Sequence, residues 1–350
     1  METKHLSYFK VENFKRFDSL EVNDIGQFNL IVGDNNVGKT TLLEALLFDD
    51  ENYDQFLHNT WQVLEEYKKI NISDAEIMNY LDFYLKNKNQ SINYTYEYLN
   101  ENKVNNFSVK KRNKSSLTSS EIDNLNGFLK VHKGDKYLIE FSLNNDEPIL
   151  KFISYAVDGN YTPYPPFVGY NNLYNDELIK MFSRLIISSQ KKEELILTLK
   201  YFIPDLISIE TNPVLIPGQN VIAVREAEND LIPLSEFGDG FIKFFRYLLE
   251  LEFCEAGRLM IDEIDTGIHY SRMKEFLKKV LQSAKNKNVQ IFATTHSKEC
   301  IQYYTEALQE LGFENEGRII KLADTKVGIK AYTYNFEQFE NSLYAYSEIR

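Results

Sequence analysis

One loop in the sequence has the residue types and spacing of a phosphate-binding site. Eight consecutive residues fit the pattern G-x-x-x-x-G-K-T: Gly33, Asp34, Asn35, Asn36, Val37, Gly38, Lys39 and Thr40. Glycines let the backbone come close enough for its N–H groups, and the start of a following helix, to bind phosphate oxygens. The lysine would add a positive charge at the β- and γ-phosphates, and the threonine hydroxyl would be a ligand for Mg²⁺. We include Thr41, the next residue, in the predicted phosphate-binding set.

A pair of carboxylates lies far downstream. Asp262 and Glu263 directly follow the apolar strand predicted at Leu259–Ile261, and ligands of open α/β sheets bind at such strand ends. Asp262 would hold Mg²⁺ through water, and Glu263 would polarise an attacking water as the general base. Such a pair alone would more often be a helix cap. Together with the phosphate loop it favours a catalytic role.

A histidine follows the next predicted strand. Residues Thr294-Thr295-His296-Ser297 come directly after the apolar run at 291–293. A histidine at the end of a strand beside Asp262 could donate a hydrogen bond to a γ-phosphate. An isolated histidine is more often structural, but the whole series of motifs favours a catalytic role for His296.

The elements that must position these groups follow from the hydrophobic pattern. Two strands at the N-terminus form a hairpin, and the strand Phe28–Val32 runs into the phosphate loop and a buried helix, Thr41–Phe48. The remaining predicted helices are Asp74–Leu85, Glu177–Ile186, Lys191–Phe202, Phe241–Phe253, Arg272–Ala284 and Lys298–Leu311, and the remaining strands are Tyr137–Ser142, Ile149–Ser154, Ile207–Ile209, Val221–Val224, Leu259–Ile261, Val289–Ala293 and a hairpin over Gly317–Tyr334. This alternation predicts an α/β fold with a parallel core sheet.

Composition narrows the class of protein. With 350 residues, of which 43% are hydrophobic, the chain can build a large globular core. We expect a cytoplasmic protein with no membrane partner, because no apolar run reaches about 18 residues and the N-terminus lacks a signal-peptide pattern. The net charge of −13 disfavours coating of nucleic acid. A basic cluster around Lys103 and 110–114 is either a local nucleic-acid contact or, more simply, a solvated loop. Cys254 and Cys300 are expected to be buried fillers.

Four segments resemble a known family: residues 11–17, the phosphate loop, the block 259–267 and the block 293–297. They are similar to ABC-type ATPases of the RecF, SMC and OLD branch, above all to stand-alone OLD-like AAA-type ATPases of bacterial defence systems. The resemblance covers about the first 48 residues and those from about 190 onward. It implies an ABC-ATPase head with a mixed N-terminal sheet, a parallel core sheet flanked by helices, and a variable α+β insertion.

The resemblance also implies a composite site for ATP and Mg²⁺. In this branch two heads form a homodimer or higher homo-oligomer that sandwiches ATP, and a signature segment of one subunit completes the site of the other. Here that segment would be 233–240, with Ser235, Gly238, Asp239 and Gly240 as contacts and Asp265 as the residue that communicates across the dimer. Other hydroxyls could replace Ser235. Neither Gln55 nor Gln90 fits the Q-loop, and Phe14 or the Lys15-Arg16 pair could flank the adenine, although Phe14 could equally be packing.

We therefore expect an N-terminal ATPase lobe over 1–48, an insertion over 49–190 and a C-terminal ATPase lobe over 191–350. OLD nucleases carry a further acidic metal-binding domain, for which only about 50 residues follow His296. The resemblance thus implies a sensor or gating ATPase of anti-phage defence with a separate effector protein, such as a nuclease. The alternative is a RecF-like ATPase that clamps DNA. A transporter subunit is a third reading, which the absence of an LSGGQ segment disfavours.

Overall fold

The structure is a computed structural model. It describes residues 4–48, 56, 59–60, 63, 83–101, 103–113, 137–143, 149–151, 167–169, 176–216, 219–227, 230–254 and 257–344.

Fifteen described strands form three sheets. In chain order they are β1 Leu6–Phe14, β2 Phe17–Val22, β3 Phe28–Gly33, β4 Ile92–Tyr98, β5 Asn105–Asn113, β6 Tyr137–Leu143, β7 Ile149–Lys151, β8 Phe167–Val168, β9 Leu206–Ile216, β10 Gln219–Glu226, β11 Ile232–Pro233, β12 Arg258–Ile261, β13 Gln290–Thr294, β14 Gly317–Thr325 and β15 Gly328–Asn335. The described helices are α1 Lys39–Ala45, α2 Asp176–Leu185, α3 Ser189–Leu199, α4 Asp239–Phe253, α5 Tyr270–Asn286, α6 Lys298–Leu311 and α7 Phe336–Tyr344. A 3₁₀ turn, Leu234–Glu236, precedes α4.

The core sheet has the strand order β15-β14-β3-β13-β12-β8. Five of its strands are parallel, and only β15 is antiparallel to its neighbour. Every residue of β3 is buried, as expected for a central strand covered on both faces. The predicted α/β fold with a parallel core sheet is therefore confirmed, and the carboxyl ends of β3, β12 and β13 meet at one edge.

A second sheet is antiparallel throughout, in the order β2-β1-β4-β5-β6-β7. Its strands β4 to β7 come from the segment expected to be an insertion, and they continue the sheet that β1 and β2 begin. The third sheet, β11-β10-β9, is also antiparallel.

Two hydrophobic clusters lie on opposite faces of the core sheet, because side chains alternate along each strand. Phe28, Leu30 and Val32 of β3 point into one cluster, with α2 to α6. Ile31 points into the other, which also contains α1 and the antiparallel sheet. Helix α1 and the phosphate loop before it are thus held between two sheets.

Helix α4 is buried along almost its whole length and carries a buried ion cluster. The guanidinium of Arg246 donates to Glu250 Oε1 at 2.7 Å and to Glu177 Oε2 of α2 at 3.0 Å. Burial raises the pKa of Glu250 to about 7, although Arg246 acts against this shift. Two carboxylates and one guanidinium therefore lock α4 against α2.

Most predicted elements are present, and most of their ends lie within three residues of the predicted ones, whereas the strand predicted at Ile207–Ile209 is longer, Leu206–Ile216. Two expectations differ from the structure where it describes them. Residues 110–112 of the basic cluster lie on β5 rather than in a loop. Of the helix expected at Asp74–Leu85, only the end is described, and there Leu85 forms an antiparallel bridge with Phe14. The strand predicted at Ile149–Ser154 is described only to Lys151. No described helix has the length and apolar character needed to cross a membrane.

Candidate nucleotide-binding site

The phosphate loop joins the end of β3 to the start of α1, and its two glycines have positive φ angles of 144° and 110°. A Cβ on Gly33 would lie 2.4 Å from the carbonyl oxygen of Leu322 on β14, and one on Gly38 would lie 2.9 Å from the ring of Phe17. Side chains are excluded at both positions by close neighbours as well as by conformation. Because Gly33 and Gly38 carry no side chain, the backbone N–H groups of the loop can come close to a phosphate.

Lys39 is the first residue of α1, and its side chain turns back into the loop. Its ammonium donates to the carbonyl oxygens of Gly33 at 2.8 Å and Asp34 at 2.9 Å. Burial lowers the pKa of Lys39, and the neighbouring carboxylates of Asp262 and Asp34 oppose that shift. Asp34, Asn35 and Asn36 are exposed, whereas Val37 and Gly38 are buried. The charge thus lies inside the arc of the loop, where a phosphate group would bind.

Thr40 and Asp262, the two predicted magnesium ligands, are in contact at the edge of the core sheet. The Thr40 hydroxyl lies 3.0 and 3.2 Å from the two carboxylate oxygens of Asp262. A hydroxyl and a carboxylate are oxygen donors of the type that Mg²⁺ prefers. The donor set and its place beside Lys39 therefore fit a magnesium ion bound together with phosphate oxygens. Thr41, the following residue, is half-buried.

Thr294, at the end of β13, contacts both acidic residues, and the sequence analysis assigned no role to it. Its hydroxyl donates to Asp262 Oδ1 at 2.7 Å and accepts from the backbone N–H of Glu263 at 2.8 Å. Both contacts are made because β12 and β13 are parallel neighbours whose carboxyl ends coincide. A hydroxyl at the end of the strand after Asp262 was the signal that could have found it.

The backbone of Glu263 is in the left-handed region, with φ of 54°. Its Oε2 accepts a hydrogen bond from the Thr266 hydroxyl at 3.0 Å. Its carbonyl oxygen accepts from the ammonium of Lys243, a residue of α4, at 2.6 Å, and the same ammonium donates to the carbonyl of Thr266 at 2.9 Å. The sequence did not single out Lys243 either.

His296 lies two residues beyond the end of β13, and its side chain is exposed. Ser297 after it caps α6, because its hydroxyl accepts from the N–H of Cys300. Asp265 lies in the turn after β12, and its buried Oδ1 has no hydrogen-bond partner among the described residues. His296 and Asp265 both follow strands of the core sheet, at the edge of the sheet where Asp262 lies.

The segment expected to act in trans lies apart from the phosphate loop. Ser235, Gly238 and Asp239 are exposed, and Gly238 caps α4 with an extended backbone and no side-chain cap. A Cβ on Gly240 would lie 3.1 Å from the carbonyl of Gly267, so the start of α4 packs against the turn after β12. In the described part of the chain, no hydrogen bond joins this segment to the phosphate loop.

Phe14, Lys15 and Arg16 are the residues that the sequence suggests as neighbours of the adenine. Phe14 is fully buried against Tyr84 and Tyr94, so it serves in packing. Lys15 forms an ion pair with Glu44. Arg16 is exposed and lies beside the phosphate loop, because its Cδ is 3.1 Å from the position of a Cβ on Gly38.

Of the two glutamines considered for the Q-loop, Gln90 is exposed just before β4, and Gln55 lies outside the described residues. The structure thus leaves the Q-loop unplaced.

Comparisons with known proteins agree with this geometry. Residues 28–301 match the sequence model of the family described as "AAA domain, putative AbiEii toxin, Type IV TA system". A protein of Helicobacter pylori named "ATP/GTP phosphatase" is 25% identical over 370 residues, which cover 95% of this chain and 96% of that protein. An uncharacterized protein of Methanocaldococcus jannaschii is 32% identical over 104 residues, or 30% of this chain and 87% of that protein.

Among solved structures, SMC head domains have a similar fold. An SMC head bound to the C-terminal winged-helix domain of ScpA superposes with a TM-score of 0.56 at 14% identity, covering 96% of this chain and 99% of that one. An SMC head with an extended coiled coil, bound to the C-terminal domain of ScpA derived from Pyrococcus furiosus, gives 0.51 at 11% identity, covering 98% and 99%. The fold is therefore that of SMC-type ABC-ATPase heads.

Proposed function

The chain belongs to the AAA-domain family described as "putative AbiEii toxin, Type IV TA system", and from this premise we propose that it binds and hydrolyses ATP as a sensor or gating subunit. The observation that carries the proposal is the contact between the Thr40 hydroxyl and both carboxylate oxygens of Asp262. This contact supports the proposal because Thr40 follows the buried Lys39 in the chain, so Asp262 contacts the residue next to the lysine. The name of the Helicobacter pylori relative, "ATP/GTP phosphatase", supports hydrolysis.

The residues divide the work of hydrolysis. Backbone N–H groups of residues 33–41 and the Lys39 ammonium bind the phosphates, while Thr40 and Asp262 would hold Mg²⁺, which offsets charge on the phosphate oxygens. The Glu263 carboxylate accepts a proton from the attacking water as its oxygen bonds to the γ-phosphorus and the bond to the β,γ-bridging oxygen breaks. His296 donates a hydrogen bond to the γ-phosphate. The products are ADP and inorganic phosphate.

The complete site requires two copies of the chain. Gly238 and Asp239 are exposed at the start of α4, and among the described residues no hydrogen bond joins this segment to the phosphate loop of its own chain. The start of α4 offers N–H donors to an anion. We propose that this segment, with Ser235, binds the γ-phosphate held by the partner subunit, and that Asp265 lies at the same interface. ATP would then join the two heads.

The biological role is proposed as bacterial anti-phage defence with a separate effector protein, on the resemblance to OLD-like ATPases and on the toxin–antitoxin description of the family. We keep the division into an N-terminal lobe (1–48), an insertion (49–190) and a C-terminal lobe (191–350) as part of the proposal. The boundary at residue 48 divides the chain but does not divide a sheet, because β4 of the insertion pairs with β1 of the N-terminal lobe. The test is to purify the protein from its native host and to look for a bound effector protein. Failure to recover any effector protein would count against the defence role.

The test compares three variants with the wild-type protein. We expect Lys39→Ala to lose binding of a fluorescent ATP analogue, because no other described side chain places a cation within the loop. We expect Glu263→Gln to keep that binding, to lose turnover by a factor of about 100 or more, and to accumulate an ATP-bound dimer in light scattering. Glu193→Gln, on the exposed face of α3, is the matched control and should behave as wild type.

Phosphate release is measured with ATP and with GTP, because the relative's name includes both. Unchanged turnover in Lys39→Ala and Glu263→Gln would refute the assignment of the site. Turnover that rises severalfold with duplex DNA and falls steeply with salt would favour the DNA-clamp alternative.

A further inference from the structure

Lys243 is a buried cation that neither the phosphate loop nor the predicted metal site uses. It is the fifth residue of α4, and its side chain has no exposed surface. A lysine is rarely buried to this degree unless its ammonium has strong partners. Its position therefore calls for a specific role.

The partners of Lys243 are both in the turn that follows β12. The ammonium lies 2.6 Å from the carbonyl oxygen of Glu263 and 2.9 Å from that of Thr266. Glu263 and Thr266 are the first and last residues of a four-residue turn. A single cation therefore binds the carbonyl oxygens at both ends of this turn. Charged donors form stronger hydrogen bonds than neutral ones.

One of these carbonyls belongs to a residue with unusual backbone geometry. Glu263 has φ of 54°, a strained conformation for a residue with a Cβ, which persists only where the surrounding structure holds it. Three contacts hold the two peptide groups of Glu263: the Thr294 hydroxyl accepts from the N–H, and the carbonyl oxygen accepts from the Lys243 ammonium and from the N–H of Thr266 at 3.1 Å. The Glu263 side chain starts from this held backbone, and its carboxylate accepts from the Thr266 hydroxyl at 3.0 Å.

The helix that carries Lys243 begins at the segment proposed to bind the partner's nucleotide. Gly238 caps α4, and Lys243 lies about one turn beyond Asp239. The start of the helix also contacts the same turn directly, through Gly240 and Gly267. A shift of α4 would therefore reach the backbone of Glu263 through the Lys243 ammonium.

We propose that Lys243 is a positioning residue that couples the start of α4 to the general base, holding the backbone of Glu263 so that its carboxylate can accept a proton from water. The proposal rests on the proposed ATPase function. Binding of the partner's γ-phosphate at Gly238–Gly240 sets the position of α4, and Lys243 transmits that position to Glu263. Hydrolysis is thereby linked to assembly of the two heads.

Lys243 keeps its charge at neutral pH in spite of its burial. Burial lowers the pKa of Lys243 to about 8, with Asp265 and Glu263 opposing the shift. The ammonium form, with three donors, is thus the main form at pH 7. Both described hydrogen bonds are available in the form that predominates in the cell.

The test separates turnover from binding. Lys243→Met keeps the length of the side chain but has no donor. We expect its turnover of ATP to fall between about 10-fold and 100-fold, because the base is misplaced by a fraction of an ångström to one ångström. Its affinity for a fluorescent ATP analogue should stay within twofold of wild type, because the phosphate loop is untouched. Lys243→Gln keeps one donor and should retain more turnover than Lys243→Met.

Leu251→Ala is the matched control, because it truncates a buried side chain two turns further along the same helix. It should lower the melting temperature and leave turnover at 25 °C within twofold of wild type. Wild-type turnover in Lys243→Met, or an equal loss of turnover in Leu251→Ala, would overturn the positioning role. Should Lys243→Met not fold, Lys243→Gln carries the same comparison. A wild-type protein without turnover would instead refute the proposed function itself.

Discussion

Two glutamates on α4, two residues apart, should differ in how their replacement by glutamine changes the pH dependence of stability. Glu250 is buried beside Arg246 and Glu177, and burial raises its pKa to about 7. Glu252 is partly exposed at the helix end; burial there acts to raise its pKa, but hydrogen bonds from Lys191 and Lys287 outweigh burial and lower it. The two variants differ only in which carboxylate is removed.

The magnitude follows from linkage between proton binding and folding. In the unfolded chain Glu250 ionises near pH 4.5, whereas in the folded protein it keeps its proton up to about pH 7. The folded state therefore binds more protons between these values, so stability is highest below pH 4.5 and falls as the pH rises to 7. At about 1.4 kcal/mol per pH unit, the loss from pH 5.5 to 7 is about 2 kcal/mol. Glu250→Gln lacks this loss and still offers an amide oxygen to Arg246.

Denaturant unfolding at pH 5.5 and at pH 8.0 measures the effect. Relative to wild type, Glu250→Gln should gain about 2 kcal/mol in unfolding free energy between the two pH values. Glu252→Gln should be less stable than wild type by about 0.5–1 kcal/mol at both, because a group with a lowered pKa is ionised in both states over this range. A difference between Glu250→Gln and wild type that does not change with pH would refute the reasoning, since Glu250 would then be ionised throughout.

Two further variants test the nucleotide-binding site. Gly33→Ala should lower the unfolding free energy by about 2–5 kcal/mol, from backbone strain and the approach to the Leu322 carbonyl, and should abolish ATP binding. Gly312 also has a positive φ but open surroundings, so Gly312→Ala should cost only about 1–2 kcal/mol in the same denaturation assay and should keep ATP binding. Equal losses of unfolding free energy in the two variants would contradict the clash at Gly33. Thr294→Val removes the hydroxyl that contacts Asp262 and the N–H of Glu263, so the magnesium concentration for half-maximal turnover should rise about 10-fold to 100-fold; an unchanged magnesium titration would show that Thr294 does not orient Asp262.

The sequence predicted the parts of the site that depend on local patterns. The spacing of Gly33, Gly38 and Lys39 specifies a backbone path that needs glycine, and the apolar strands before Asp262 and His296 specify a sheet edge. Helix α6, Lys298–Leu311, was predicted to the residue, because Ser297 caps its start and Gly312 ends it in the left-handed conformation. These signals lie within a few residues of the feature they specify.

The contacts of Lys243 could not be predicted, because they join distant segments, and Thr294 was signalled only by its place at the end of the strand after Asp262. Lys243 lies in an apolar helix, where one would expect a lysine side chain to be exposed. Instead its ammonium donates to backbone carbonyl oxygens 20 and 23 residues further along the chain. The strand order of the core sheet was equally hidden, since β3 pairs with strands more than 250 residues later. Residues 110–112 looked like a basic loop because their charges and polar neighbours gave no alternating apolar pattern, although they pair with β6.

The central place of β3 has a consequence for the protein during its synthesis. Both neighbours of β3 come late: β13 begins at Gln290 and β14 at Gly317. The side chain of Gln290 also binds the backbone of Leu6 and Gly26, closing the start of the chain onto its last third. At about 5–20 residues per second, roughly 10 to 50 s pass between emergence of β3 and of β13. For that time the ribosome-bound chain carries an unpaired apolar strand and no complete ATP site, so it is then that a chaperone would matter most.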